Sequence, residues 1–183
     1  QRVTVLAHGD GGWAHLVRFL TGLNINKDGG NTRITLELLE KFSAHSTHLH
    51  LLHGPQSPLS YELAAHHPER ALDLFNATRE FFADHAIECV SHLVAGNGPG
   101  STAHAARSLV FARDHDIDAV ITNAVRMRTR SNGPIADLLD CARQLVPLDY
   151  RHIERRNAEA YLKSSQEMTL VATEIARAAG EAT

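Results

Sequence analysis

Apolar residues recur along this chain with two alternating periods. Val3 to Ala7 is a short apolar run that predicts a strand, with His8 to Gly12 as the turn after it. Apolar positions 13, 16, 17, 20 and 23 then repeat with the period of a helix. Asn24 to Asn31 reads as a polar, Gly-rich loop, and Thr35 to Phe42 as a short helix with Thr35 at its N-cap. From Thr47 to His53 histidine and leucine alternate until Gly54-Pro55, the pattern of a strand. Pro58 to Ala65 and Pro68 to Ala86 read as helices; the second carries one apolar stripe at 71, 72, 74, 75, 81 and 82. Ile87 to His92 and Asp118 to Thr122 are strand-like, and Thr102 to His115 between them reads as a helix with Ser101 as its cap. Pro134 to Leu145 predicts a helix with Pro in the tolerated first turn. The segment Arg151 to Leu162 is polar and admits a helix. Ser165 to Ala179 closes the chain as a helix with Gly180 in the capping position. Strands alternating with helices predict an α/β fold around a mainly parallel sheet.

Composition narrows this picture only at its edges. The 183 residues carry a net charge of −3, so nothing draws the whole chain to nucleic acid or anionic lipid, and a local basic patch stays open. Cys89 and Cys141 lie far apart without a CxxC, which favours free thiols in a reducing compartment and a cytoplasmic setting. No stretch approaches the ~20 apolar residues of a membrane span. The chain has no initiator Met and enters a buried-looking strand at once, so we expect it to be a piece of something longer.

Thirteen histidines invite a metal. His48 and His50 share a strand face and lie near His53, although no carboxylate sits within that run. Glu88, Val90 and His92 share another face, with His92 at the strand's carboxyl tip, where ligands bind in parallel sheets. Gly9 to Gly12 and Gly96 to Gly100 lack the P-loop Lys-Ser/Thr and the G-x-G-x-x-G spacing. No nucleophile elbow exists, and Cys89 and Cys141 read as small core residues. Asp137 and Asp140 are three apart on one helix and read as a solvated face. Arg126, Arg128 and Arg130, with Arg151, Arg155, Arg156 and Lys163 further on, form either one patch for a phosphate backbone or an acidic surface, or scattered surface charge with ion pairs to Glu154 and Glu159.

Several stretches together resemble a known family. They are Val3 to Arg18, Thr32 to Leu39 followed by His48 to Gly54, Ile87-Glu-Cys-Val-Ser-His92, Ala119-Val-Ile-Thr-Asn-Ala-Val-Arg126, and Arg155 to Ser164. Their order is similar to the polymerase and histidinol phosphatase (PHP) domain of bacterial DNA polymerase III alpha subunits, nearest to the error-prone actinobacterial type. The resemblance implies a partial (β/α)7 barrel over 1–150 and a helical extension over 151–183 that leads toward the polymerase body. It also implies a parent nucleotidyltransferase acting in DNA replication and repair. Partners would be the rest of that chain and, through it, DNA. An edge left open near the first strand would invite a dimer.

Intact members hold divalent Zn, Mn or Mg ions at the strand tips and hydrolyse phosphoesters with metal-activated water. Here the positions that resemble ligand sites hold Arg2, Pro55, Ala124 and Arg126. Only His92 survives, with Glu88 beside it. The resemblance therefore implies a degenerate, structural domain with no catalytic residue and no cofactor. The alternative is a metal-dependent phosphoesterase built on His92 and Glu88 with some of His8, His48, His50 and His53.

Overall fold

The computed structural model describes residues 2–25, 46–153 and 155–180, so the helix expected over Thr35 to Phe42 lies outside the described residues. The elements are β1 (Thr4–Ala7), α1 (Gly9–Ile25), β2 (Ser46–His53), α2 (Pro58–Ala64), α3 (Pro68–Arg79), β3 (Phe82–Val90), α4 (Thr102–Asp114), β4 (Ala119–Thr122), α5 (Gly133–Gln144) and α6 (Ser165–Ala178). The strands form a mostly parallel open sheet in the order β1-β2-β3-β4. β2 and β3 run parallel, while β1 lies antiparallel on the edge, with Thr4 opposite Leu52 and Ala7 opposite Leu49.

The chain divides into two compact units, Gln1–Ile87 with Ala112–Ala119, and Glu88–Phe111 with Val120–Thr183. In the first, Leu49 and Leu51 of β2 meet Phe19 and Leu23 of α1 and Phe82 of β3 in a buried cluster. Removing one such side chain from water contributes roughly 1.5–3 kcal/mol. α1 starts at Gly9, earlier than the expected Trp13, because it approaches β2 closely at its first turn. A Cβ on Gly12 would stand 2.5 Å from the His48 carbonyl oxygen, so only glycine fits there.

Two expectations are corrected. The helix expected to run to Ala86 ends at Arg79, and β3 begins at Phe82. Phe82 is buried among the residues of α1 and β2, and Asp84 to Ile87 pair with His50 to His53. Sheet pairing and core burial there outweigh the continuation of a helical stripe. Among the described residues of the segment from Arg151 to Leu162 there is a single 3-10 turn at Tyr150–His152 and no further helix. A backbone bridge between Met127 and Tyr161 holds the far end of that segment.

In the second unit, Ser101 caps α4, its hydroxyl accepting from the His104 N–H at 3.1 Å. Ser164 and Glu167 form a capping box on α6, and Gly180 just beyond that helix takes a φ of +77°. Among the described residues no helix is long and apolar enough to cross a membrane.

Candidate functional site

Within the second unit, the carboxyl ends of β3 and β4 come together and are tied by their own side chains. The Thr122 hydroxyl donates to Glu88 at 2.7 Å and accepts from the Ala124 N–H at 3.1 Å. His92 Nε2 lies 2.8 Å from the Asn123 carbonyl, so that nitrogen carries the proton and donates. Burial holds the His92 pKa below its ordinary value, and the nearby Lys163 adds to this against the opposing Asn123 carbonyl, Glu159 and Glu88. The ring is therefore neutral near pH 7, with its Nε2 already spent.

The segment 157–163 completes the arrangement. Asn157 donates to the His92 carbonyl at 2.6 Å. The buried Asn123 amide donates to the carbonyls of Glu159 at 2.8 Å and Tyr161 at 2.6 Å. Its oxygen accepts from the Lys163 ammonium at 3.1 Å. Lys163, with a side chain only 4% exposed, also donates to the Glu159 carbonyl at 2.6 Å and pairs with its carboxylate at 3.1 Å. The same ammonium lies 4.4 Å from the Tyr161 ring centre, and Arg130 lies 4.6 Å from it. Burial pushes the Glu159 pKa up, but hydrogen bonds and charge from Arg130 and Lys163 outweigh it and hold the group below its usual range. Tyr161 donates in turn to Glu167, whose pKa is held at about 2 by that bond and by the Ser164 N–H and hydroxyl.

The positions singled out in the sequence divide between the units. Glu88, His92, Ala124 and Arg126 lie in the second. Ala124 has a φ of +39°, a left-handed conformation unusual for alanine. Arg126 pairs with Asp140 at 2.7 Å and Arg130 with Glu159 at 3.0 Å. Arg128 is exposed and has no ion pair among the described residues, so the arginine patch is largely neutralised from within. Arg2 and Pro55 belong to the first unit, where the Arg2 N–H donates to the Gln56 carbonyl at 2.8 Å.

The histidines of β2 separate by face. His50 pairs with Asp84 at 3.3 Å, and its ring centre lies 6.1 Å from that of His8. His53 is buried against Phe75 and His85. Among the described residues no group of three or more His, Cys, Asp or Glu is placed to hold a metal ion. Cys89 and Cys141 are both buried and unbridged, and burial, with Glu88 adding, pushes the Cys89 thiol up to about 12, which leaves it inert.

Asp137 and Asp140 are not the solvated pair their spacing suggests. Asp137 is buried and held by Arg155 through two bonds of 2.8 and 2.5 Å. A Cβ on Gly133 would stand 3.0 Å from the Arg155 guanidinium carbon, so glycine makes room for that arginine. Sequence reasoning missed Asn157 altogether, and it did not foresee that Asn123, Glu159 and Lys163 bond to one another. A signal for this segment was present: Asn157, Glu159, Tyr161 and Lys163 alternate at period two, the mark of an extended segment showing one face.

No family model matches the chain, and no curated protein matches it.

Proposed function

We propose that the chain is a catalytically degenerate PHP-type domain of an error-prone DNA polymerase alpha-type subunit, with a structural role in its parent protein. On this reading the open sheet is part of a larger (β/α)7 barrel in a cytoplasmic enzyme of DNA replication and repair. The polymerase chemistry resides in carboxylates outside this chain. The observation that carries the reading is the strand-tip arrangement. At Ala124 the resemblance expects an acidic ligand, and the backbone takes a left-handed φ of +39°. Asp and Asn adopt that conformation more readily than alanine. Arg126, at the other expected ligand position, is engaged by Asp140.

The residues present do not fit the divalent ions of intact family members. His92 spends Nε2 on a carbonyl, Glu88 is bonded to a hydroxyl, and the Lys163 ammonium already supplies positive charge beside Asn123 and Glu159. A fixed ammonium can balance these oxygens but cannot ionise water as a metal does.

The test is an assay of single-stranded DNA and a chromogenic phosphodiester with Mn, Zn and Mg. No turnover above background is expected from the chain or from Ala124→Asp, which should fold at least as stably. Metal-dependent hydrolysis that disappears in His92→Ala would overturn the degenerate reading. The polymerase assignment is tested separately, by whether the coding sequence after Thr183 continues into a polymerase body; a gene that instead continues into an unrelated domain would sink it.

A further inference from the structure

The tripeptide Asn-Gly-Pro occurs twice in the chain, as Asn97-Gly98-Pro99 and as Asn132-Gly133-Pro134. An asparagine followed by glycine exposes its side-chain amide to attack by the next backbone nitrogen, because glycine has no side chain to hold the two apart. The two copies are identical in sequence, so the fold sets any difference in their reactivity.

The fold treats them differently. Asn132 ends the 3-10 turn Arg130–Asn132, and its Oδ1 accepts from the Thr129 N–H at 3.1 Å and the Thr129 hydroxyl at 2.9 Å. Gly133 is buried as the first residue of α5, and its N–H donates to the Arg130 carbonyl. The attacking nitrogen is thus occupied, and the amide it must reach is turned back toward Thr129. Asn97 and Gly98 instead lie exposed in the bends between β3 and α4. Neither the Asn97 side chain nor the Gly98 N–H has a hydrogen-bond partner among the described residues. A Cβ on Gly98 would meet nothing within 4 Å, so this peptide has room to rotate. Only the carbonyls are engaged. That of Gly98 accepts from the Ser101 N–H at 3.1 Å and hydroxyl at 2.7 Å, and that of Asn97 from Arg107 at 3.4 Å.

We infer that Asn97 is a site of spontaneous deamidation and that Asn132 is protected from it. The Gly98 nitrogen gives its proton to base and bonds to the Asn97 side-chain Cγ; the Cγ–N bond breaks and that nitrogen leaves as ammonia. Water then opens the cyclic imide at either carbonyl, giving aspartate or isoaspartate. The net change is hydrolysis of one amide, with water consumed, ammonia released and no oxidant or reductant. Each event adds a negative charge. The isoaspartate product also lengthens the main chain by one atom just before the Gly98 carbonyl, which holds Ser101 at the cap of α4. The inference needs neither a metal nor the PHP reading.

Peptide mapping by mass spectrometry tests it, on the chain aged at mildly alkaline pH both folded and in urea, with isoaspartate-specific methylation as a second readout. In the folded chain the Asn97 peptide is expected to convert about tenfold faster or more than the Asn132 peptide, because Asn132 reacts only after a local opening breaks its bonds. In urea the two should convert at similar rates. Gly98→Ala, which meets open space and should leave the circular dichroism spectrum unchanged, should slow conversion at Asn97 about tenfold. Equal rates at the two sites in the folded chain, or an Asn97 that persists as amide while the unfolded chain converts, would overturn the inference. So would a difference in urea as large as that in the folded chain, since the fold would then not be its cause.

Discussion

At the scale of single residues, Lys163 ties together several parts of the second unit. Its ammonium joins the β4 tip through Asn123 to the segment carrying Glu159 and Tyr161. A cation taken out of water in this way persists only because oxygens and a ring face receive it. Removing it leaves the Asn123 oxygen and part of the Glu159 carboxylate without a donor. Lys163→Met should therefore lower unfolding free energy by roughly 3 kcal/mol, as measured by urea denaturation. Lys163→Arg should restore only part of that, because the planar guanidinium cannot point one compact group at three oxygens and a ring. An unchanged midpoint in Lys163→Met would show that Asn123 and Glu159 find other partners.

At the scale of elements, local signals set where helices begin and end, while neighbours set their registers and faces. Ser101 and Gly180 are terminal signals that act within one turn, so the structure reproduces them where the sequence places them, and the Ser164–Glu167 box acts over the same short range. The start of α1 depends instead on contact across the chain. Gly12→Ala should cost about 1–3 kcal/mol, because the added methyl meets backbone at His48 rather than a movable side chain. Gly11→Ala is the control. Its Cβ would meet only the His48 ring at 3.4 Å, so a thermal melt should separate the two substitutions clearly. Equal melting temperatures would mean that α1 slides along β2 to make room.

For the whole chain, acid stability follows from buried histidines. Burial, with His85 adding, lowers His53 to about 4, and burial, with Arg107 adding, lowers His104 to about 4. Burial also lowers His85, helped by Arg79 and opposed by the Phe82 carbonyl and Asp84. These rings stay neutral in the folded chain, whereas the unfolded chain takes up protons near pH 6.5. Their contribution is complete above that value, falls as pH drops from about 6.5, and is lost by about pH 4, where both states are protonated. The loss is on the order of 3 kcal/mol for each ring that is almost wholly buried. Melting temperature should decline through this window, and His53→Phe should flatten the decline by removing one of its sources. A flat profile between pH 6.5 and 4.5 in the parent chain would contradict the account. Asp137 is held low chiefly by its bonds to Arg155, and it adds its own loss only as pH falls below the ordinary carboxylate range.

The sequence by itself determined the α/β alternation, most helix positions, the caps and the buried cysteines. Each depends on period, on a capping side chain or on apolar character, and those are carried by neighbours in the chain. It also offered Glu88 and His92 as candidate ligands, and the family resemblance marked Arg2, Pro55, Ala124 and Arg126 as altered ligand positions. Tertiary structure alone decided what surrounds them. That Phe82 starts a strand, that Asp137 points inward to Arg155, and that Lys163 comes to rest on Asn123 are contacts between residues 18 to 40 or more positions apart. Burial makes an unpaired charge or amide costly, so these polar side chains go where partners are, and only the folded chain brings those partners within reach.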